Sequence, residues 1–206
     1  MMSGLLITFE GIEGVGKSTL QHALADALKK RGKEVLLTRE PGGTQLGEQL
    51  RAAILSADHM HVTPMAELLV MFAARAQHVA EVIQPALAKG TLILCDRFSD
   101  TSFAYQGGGR QIPFAWIESL VKMTHADVQP HLTFWLDLPV AQALARAKKR
   151  SAADRIEQET VDFFQQAREC YAARALAEPK RIVRLDATGT PEQLLQQSLE
   201  IIEKIQ

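Results

Sequence analysis

The chain contains 206 residues, 47% of them hydrophobic, and carries a formal charge of −1. This length and composition favour a single domain over residues 1–206, and the near-neutral charge excludes a general electrostatic attraction to nucleic acid or to an anionic membrane. No apolar run approaches the roughly 20 residues of a membrane span, the N-terminal residues lack a signal-peptide pattern, and two cysteines are too few for a disulfide framework, so a cytoplasmic protein is expected.

The first half of the chain alternates short apolar runs with segments of helical periodicity. Leu5–Glu10 (LLITFE) is predicted to be a strand, and the following LQHALADALKKRG is predicted to be a helix that ends at Gly32. Residues 34–38 (EVLLT) form a second predicted strand. A long helix is predicted over residues 64–89, interrupted only near its end by Pro85.

The second half continues this alternation. Two continuously apolar runs, TLILCD at 91–96 and LTFWLD at 132–137, end in an acidic residue, as expected of strands buried on both faces of a parallel sheet. The run RIVRLD at 181–186 repeats the pattern. Helical periodicity fills the gaps at approximately 114–124, 140–149, 158–177 and 192–204. The pattern predicts a doubly wound α/β fold with a five-stranded parallel sheet flanked by helices.

The first predicted strand leads into a phosphate-binding loop. Gly11, Gly16, Lys17 and Ser18 match the pattern G-x-x-x-x-G-K-[ST], and the motif lies between a buried strand and the start of a helix, as its mechanism requires. In such a loop the backbone N–H groups and the helix N-terminus bind phosphate, the lysine reaches the outer phosphates, and the serine can ligate Mg²⁺. The motif predicts nucleotide binding, but kinases, motors, GTPases and regulatory ATPases all share it.

Asp96 and Arg97 follow the third predicted strand and should emerge at the carboxyl edge of the sheet, where open α/β proteins bind ligands. The carboxylate can hold Mg²⁺ or orient an acceptor, and the arginine can bind a phosphate that is not transferred. The alternative is a surface ion pair. The segment SFAYQGGGR then offers Ser102, Tyr105 and Gln106 on an expected loop, which could contact a base or sugar or could simply be mobile.

Two further motifs could complete an acceptor pocket, although each also has an ordinary structural explanation. The segment TREPGGT places Arg39 and Glu40 at a tight turn, and Arg51 follows at a helical position. All three could be solvated charges. Phe72 and Arg75 lie three residues apart on one face of the long helix, where the ring could stack on a base or could belong to the core.

Together these motifs resemble the thymidylate kinase family in its bacterial form. The matching segments are FEGIEGVGKST, TREPGGT, FAAR, DRF, SFAYQGGGR, LDLP and DRIEQE, in the family's order from about residue 5 to 187. The resemblance implies a P-loop nucleoside-monophosphate-kinase-like three-layer fold with a short lid at approximately 146–158. It also implies ATP-dependent phosphorylation of dTMP to dTDP in dTTP synthesis, with Mg²⁺ as cofactor and ATP and dTMP as small-molecule partners, in a cytoplasmic homodimer that packs through helices.

The resemblance further assigns roles to individual residues. It implies that Mg²⁺ is held by Ser18 and Asp96. It implies that ATP binds at Gly11, Ile12, Glu13, Gly14, Val15, Gly16, Lys17, Ser18 and Thr19. It implies that dTMP binds at Arg39, Glu40, Arg51, Phe72, Arg75, Arg97, Ser102, Tyr105 and Gln106, with Phe72 stacking on thymine and Tyr105 sensing the missing ribose 2′-hydroxyl. The implied catalytic residues are Glu13, Lys17, Asp96, Arg97, Arg150 and Arg155.

Two positions depart from patterns common in the family. Many members place the stacking aromatic residue four positions before the arginine, where this chain has Met71, and Phe72 lies at three positions. Some members carry a catalytic arginine within the phosphate loop, where this chain has Gly14. We therefore expect Arg150 and Arg155 of the basic lid to supply that charge.

Two other functions fit part of the sequence. Another nucleoside or nucleotide kinase would share the loop, the acidic strand end and the lid but would use a different base pocket. A non-catalytic nucleotide-binding switch would have no small acceptor. Such a switch would be expected to carry a guanine-reading motif such as N-K-x-D, and the sequence contains none.

Overall fold

The computed structural model describes residues 4–56, 61–149 and 154–205. Within these ranges one sheet contains five parallel strands in the order β2-β3-β1-β4-β5, so that β1 is central. The predicted α/β fold with a five-stranded parallel sheet is confirmed. The strands are β1 Leu5–Glu10, β2 Val35–Arg39, β3 Leu92–Asp96, β4 Leu132–Asp137 and β5 Ile182–Asp186.

Helices connect the strands and cover both faces of the sheet. Two of the helical segments are π-helical: Val79–Ile83, between α3 and α4, and Phe103–Gly109, which follows α5 directly. The α-helices in the described ranges are α1 Lys17–Lys30, α2 Gln45–Leu55, α3 Pro64–His78, α4 Gln84–Ala88, α5 Ser99–Ser102, α6 Phe114–His125, α7 Val140–Lys148, α8 Val161–Ala177 and α9 Pro191–Glu203.

The long helix predicted over residues 64–89 is present as three successive helical segments. A π-helical turn separates α3 from α4, and Pro85 lies in the first turn of α4. A proline at the start of a helix removes an N–H group that has no partner within that helix, so the chain continues through Pro85. At the other end, Thr63 caps α3 by accepting a hydrogen bond from the Ala66 amide.

Several helical segments differ from the sequence-based expectation. The helix α2 was not predicted as a separate element. The segment that follows Arg97, expected to be a loop, is helical from Ser99 to Gly109. The helix predicted from residue 158 begins at Val161, because the Thr160 side chain caps it by accepting a hydrogen bond from the Phe163 amide.

Alternating side chains of the central strands build a core on each face of the sheet. Leu6 of β1 and Ile93 of β3 belong to one buried cluster, which includes Ile83 of the π-helical turn. Ile7 and Leu94, one position further along each strand, belong to the larger cluster on the opposite face. Because all five strands are parallel, their carboxyl ends lie at one edge, where the site is found.

No helix in the described part of the chain is long and apolar enough to cross a membrane.

Candidate active site

A cavity of about 300 Å³ opens at the carboxyl edge of the sheet. Its wall combines the phosphate loop, the ends of β2 and β3, helices α2 and α3, the helical segment after Arg97, and Asp154, Ile156 and Glu157. The predicted site residues that line this wall are Glu13, Gly14, Gly16, Lys17, Ser18, Thr19, Arg39, Glu40, Arg51, Arg75, Asp96, Arg97, Ser102, Tyr105 and Gln106. The folded chain therefore brings together predicted site residues that are distant in sequence, from Glu13 to Gln106.

The phosphate loop depends on glycine at several positions. Gly11, Gly14 and Gly16 have φ values of 134°, 76° and 100°, which disfavour residues that carry a Cβ atom. A Cβ atom at Gly14 would lie 2.0 Å from the carbonyl oxygen of Ala143 in α7, so this loop has no room for an arginine there. Helix α1 starts directly after Gly16 without a side-chain cap, which leaves its first N–H groups available to a phosphate.

Two predicted loop residues, Ile12 and Val15, turn their side chains into the core. Lys17 is also buried, and its Nζ atom donates to the carbonyl oxygens of Gly11 at 3.1 Å and Ile12 at 2.9 Å. Burial, aided by the positive charge of Arg97, lowers the pKa of Lys17 to about 8. A bound phosphate would replace these carbonyl partners with negative charge.

Ser18 and Asp96 form the pair predicted to bind Mg²⁺. The Ser18 hydroxyl donates to Oδ2 of Asp96 at 2.7 Å. The other carboxylate oxygen, Oδ1, is buried and has no hydrogen-bond partner among the described residues. These two oxygens fit a hard cation, which prefers oxygen ligands. The described residues contain no group of three or more His, Cys, Asp or Glu side chains that could hold a metal, so phosphate oxygens and water would have to complete the coordination.

Arg97 lines the cavity and has a left-handed backbone conformation, φ 71°. Its Nη1 atom donates to the Gly11 carbonyl at 2.9 Å, and its Nη2 atom donates to Glu13 and, at 3.2 Å, to the Tyr105 hydroxyl. Burial acts to lower the pKa of Arg97, but Glu13 and Tyr105 outweigh it and raise the pKa above its ordinary value. The guanidinium thus stays charged between the phosphate loop and the helical segment 103–109.

Arg75 is held by a buried network. Its Nε donates to Glu40 at 2.6 Å, Nη1 donates to the Ser102 hydroxyl at 3.1 Å, and Nη2 donates to the Phe98 carbonyl at 3.1 Å. His78 approaches the other oxygen of Glu40 at 3.0 Å. Burial raises the pKa of Glu40, yet Arg75 and His78 outweigh that effect and lower it, so an ionised carboxylate holds the arginine in place.

The position of Phe72 corrects the predicted thymine contact. Phe72 is 2% exposed and belongs to the core, beneath Arg75 at 4.7 Å from its guanidinium and beside the His125 ring at 6.0 Å. Met71, one position earlier, lines the cavity instead. Helical spacing places both residues near the face of Arg75. The packing of the Phe72 ring against His125 in the core is what leaves Met71 on the wall.

Two further arginines, Arg39 and Arg51, lie on the cavity wall. Arg39 donates to Glu48 at 2.9 Å, and Arg51 donates to the Pro41 carbonyl at 3.0 Å. Burial and the charge of Arg39 both lower the pKa of Arg51. An anion placed between the two arginines would relieve their mutual repulsion.

Of the two arginines expected in a lid, Arg150 lies outside the described residues. Arg155 is described and does not line the cavity. Its Nη2 donates to Glu67 at 2.6 Å and its Nε donates to the Ile54 carbonyl at 2.8 Å. These bonds hold its guanidinium away from the phosphate loop, so its position does not support the predicted contact with a transferred phosphate.

Sequence reasoning missed Glu67. This carboxylate on α3 is 1% exposed and accepts hydrogen bonds from Gln106, Arg110 and Arg155. A signal was present, since Glu67, Met71 and Arg75 recur every four residues and therefore share one face of α3.

Comparison with known proteins identifies close relatives. A family model described as Thymidylate kinase matches residues 9–198. The chain is 50% identical over 201 residues to the thymidylate kinase of Pseudomonas fluorescens (strain Pf0-1), covering 98% of this chain and 95% of that protein. It is 47% identical over 205 residues to that of Alcanivorax borkumensis, covering 100% and 99%. The crystal structure of thymidylate kinase from Ehrlichia chaffeensis matches with a TM-score of 0.80 and 30% identity, covering 98% and 99% of the two chains.

Proposed function

Because the chain belongs to the thymidylate kinase family, we propose that it phosphorylates dTMP to dTDP with ATP, within dTTP synthesis. The observation that carries this proposal is that a phosphate loop and a pocket of buried polar groups open into one cavity. Phosphoryl transfer requires above all that two anionic substrates be aligned and their charge neutralised. Lys17 and Ser18 stand on the donor side, and Arg75 and Gln106 stand on the acceptor side.

In the proposed reaction a phosphate oxygen of dTMP attacks the γ-phosphorus of ATP. A new P–O bond forms as the bond to the β,γ-bridging oxygen breaks, giving dTDP and ADP, and no protein nucleophile is needed. The positive charge of Lys17 stabilises the negative charge of the transferred phosphoryl group. Arg97, held between Gly11 and Tyr105, binds the dTMP phosphate. Ser18 and Asp96 would hold Mg²⁺, which neutralises phosphate charge when bound.

The acceptor phosphate and sugar are assigned to residues around Arg97. Arg39 and Arg51 supply further positive charge on the same wall of the cavity. Glu13, bonded to Arg97, is placed beside the sugar, and Tyr105 is placed where a ribose 2′-hydroxyl would stand. This arrangement favours a deoxynucleotide monophosphate.

The base is assigned to the face of α3 that carries Met71 and Arg75. The Met71 thioether, rather than the Phe72 ring, covers the plane of thymine, because Met71 is the residue on the wall. Arg75 retains N–H groups that can donate to the thymine O4 atom, and Gln106 offers an amide oxygen to the N3–H group. Ser102 stays bound to Arg75 and fixes its plane.

A coupled assay for ADP tests the activity. With ATP and Mg²⁺, the enzyme should turn over dTMP with kcat/KM at least about tenfold above the value for dCMP or UMP. Equal rates with uridylate or cytidylate would defeat the dTMP assignment in favour of a broader nucleotide kinase. Lack of saturable dTMP binding in calorimetry would favour a nucleotide-binding switch.

We further propose a cytoplasmic homodimer, each chain forming one domain with a lid at approximately 146–158. Large apolar side chains are exposed on three adjoining helices, namely Leu46 on α2, Met65 and Leu69 on α3, and Phe114 and Trp116 on α6. Helix α3 packs against both α2 and α6, and exposed apolar side chains on adjoining helices favour association. Light scattering coupled to size-exclusion chromatography should give twice the mass of 22.7 kDa.

A further inference from the structure

We infer that Glu67 is a positioning residue that fixes the amide of Gln106, and that this orientation makes the pocket select a base with an N3–H group over cytosine. The inference rests on the proposed function, since it concerns how the same pocket recognises the base of the acceptor nucleotide. It assigns a role in specificity to a carboxylate that does not itself line the cavity.

Glu67 is a buried acceptor surrounded by donors. Its Oε1 accepts hydrogen bonds from the Gln106 amide at 2.8 Å and from Arg110 Nε at 3.2 Å. Its Oε2 accepts from Arg110 Nη2 at 3.0 Å and from Arg155 Nη2 at 2.6 Å. Burial raises the pKa of Glu67, but the hydrogen bonds from Arg110, Gln106 and Arg155 outweigh it and lower the pKa. The side chain is therefore an ionised carboxylate.

An ionised carboxylate can only accept hydrogen bonds, so it dictates which end of the neighbouring amide it meets. Gln106 must turn its NH₂ group toward Glu67, and its Oε1 atom then points the opposite way. That oxygen is buried without a hydrogen-bond partner in the described ranges 4–56, 61–149 and 154–205. Gln106 lines the cavity. A buried acceptor without a partner is unfavourable, so it awaits a donor from the ligand.

The pyrimidine bases differ at the atom that such an acceptor would meet. Thymine carries a donor, N3–H, between two carbonyl oxygens, whereas cytosine carries an acceptor at N3. An acceptor fixed in the pocket forms a hydrogen bond with thymine and faces a lone pair on cytosine. A buried polar group that is left unpaired discriminates more strongly than a change in size. Through Gln106, Glu67 thus determines that the pocket offers an acceptor to the base, which favours thymine over cytosine.

The test replaces the carboxylate with an amide of nearly the same shape. In Glu67→Gln, the new side-chain oxygen takes the place of Oε2, to which Arg110 Nη2 and Arg155 Nη2 both donate. The NH₂ group then takes the place of Oε1, against the Gln106 amide and the longer contact with Arg110 Nε. Gln106 then turns its oxygen toward residue 67 and its NH₂ group toward the cavity. We expect kcat/KM for dTMP to fall at least tenfold, mainly through KM, and the ratio of kcat/KM for dTMP to that for dCMP to fall at least tenfold, which corresponds to one hydrogen bond.

Arg110→Gln is the matched control. It removes a partner of Glu67 that lies off the cavity wall and leaves the bond between Glu67 and Gln106 intact. This variant should lose thermal stability but keep the wild-type ratio of dTMP to dCMP. If Glu67→Gln alone does not fold, the double variant Glu67→Gln/Arg110→Gln, which removes the buried negative charge together with one of its partly buried positive partners, is assayed in its place.

The outcomes separate this inference from the proposed function. A wild-type enzyme that does not phosphorylate dTMP would refute the proposed function itself. An active wild-type enzyme with an unchanged dTMP to dCMP ratio in folded Glu67→Gln, or an equal fall in Arg110→Gln, would overturn the role of Glu67 alone. Failure of both the single and the double variant to fold would assign Glu67 to stability and would also overturn it.

Discussion

Arg97 has a backbone conformation that must be stabilised by its neighbours. Its φ of 71° is rarely adopted by residues other than glycine, so neighbouring groups must hold it. The next residue, Phe98, donates its amide to Oε1 of buried Glu10 at 2.8 Å, and Thr101, which bonds to Arg97, donates to Oε2 of Glu10 at 2.5 Å. Glu10 therefore supports Arg97 from beneath without lining the cavity.

Replacing Glu10 should reveal this support. In Glu10→Gln one oxygen becomes an NH₂ group that faces donors, which should shift Arg97 and lower kcat/KM for dTMP by roughly 10- to 100-fold. Tyr171→Phe serves as the control, since it removes one donor to Glu10, the hydroxyl at 3.0 Å, and that hydroxyl's contact with Thr101 at 2.8 Å, but leaves the carboxylate in place. Steady-state kinetics would measure both variants. Equal, small effects of the two would contradict a role for Glu10 in holding Arg97.

His125 gives the protein an acid-sensitive buried residue. Its ring nitrogens lie 2.6 Å from the Ser99 hydroxyl and 2.6 Å from the Thr124 hydroxyl. Burial, with repulsion from Arg75, lowers its pKa from 6.5 to about 4. Between pH 6.5 and pH 4 the His125 ring is therefore protonated in the unfolded chain but stays neutral in the native protein. Because the unfolded state binds the extra proton, the free energy of unfolding falls as the pH drops through this window.

The variant His125→Gln isolates this contribution. The variant loses packing at every pH. Between pH 7 and pH 4.5, however, its free energy of unfolding should fall by up to about 3 kcal/mol less than that of the wild type, because the titrating ring is gone. Urea unfolding at the two pH values would measure the difference. Parallel pH profiles for the variant and the wild type would show that His125 does not titrate in this way.

At the scale of secondary structure, the phosphate loop and helix α7 fit together only with glycine at position 14. In Gly14→Arg, the Cβ atom would meet the Ala143 carbonyl, and the φ of 76° would be strained as well. We expect the affinity for ATP to fall at least tenfold, measured by calorimetry, and we expect no gain in kcat.

Gly32→Ala provides a control for this loop variant. Gly32 has a nearly equal φ of 77°, but no atom of the described residues lies within 4 Å of the position of its Cβ atom, so this change adds backbone strain without a clash. It should lower thermal stability while keeping the wild-type ATP affinity. An increase of kcat in Gly14→Arg would show that an arginine can act from this loop after all.

Most elements were predictable because local chemistry and the fold agree. Short apolar runs that end in an acid became β3 and β4, and the glycine-rich motif after β1 became the phosphate loop. The helical segment 103–109 could not be predicted, because a run of glycines normally indicates a turn. Here the glycines allow close packing: Cβ atoms at Gly107 and Gly109 would lie 2.3 Å from the rings of Phe114 and Phe163.

The position of a residue on the cavity wall could be predicted where a motif places it at the carboxyl end of a strand or at the start of a helix, as for Lys17, Asp96 and Arg97. It could not be predicted where tertiary packing determines which side chain faces the cavity. Spacing alone allows Phe72 to share a face with Arg75, and only the packing of α3 against His125 turns that ring into the core. The role of Glu67 likewise depends on Gln106, 39 residues away, which no local pattern can reveal.

At the scale of the whole molecule, exposed apolar side chains on α2, α3 and α6 should mediate self-association. Leu69, 49% exposed on α3, is the most direct test, because a charge there would be buried in the proposed interface. Leu69→Glu should shift the protein toward the monomer in light scattering. Leu176→Glu on α8, where the side chain is 84% exposed, should leave the mass unchanged. A dimer that persists in Leu69→Glu would place the interface elsewhere.

The central position of β1 has a consequence for synthesis of the chain. β1 leaves the ribosome first, but its neighbours are β3, complete at Asp96, and β4, complete at Asp137. At roughly 5 to 20 residues per second, the apolar strand LLITFE waits on the order of ten seconds for its second neighbour. Until then the nascent chain presents a central strand with at least one unpaired edge, so mutations that slow the arrival of β4 should reduce the yield of folded protein even where they leave the finished enzyme unchanged.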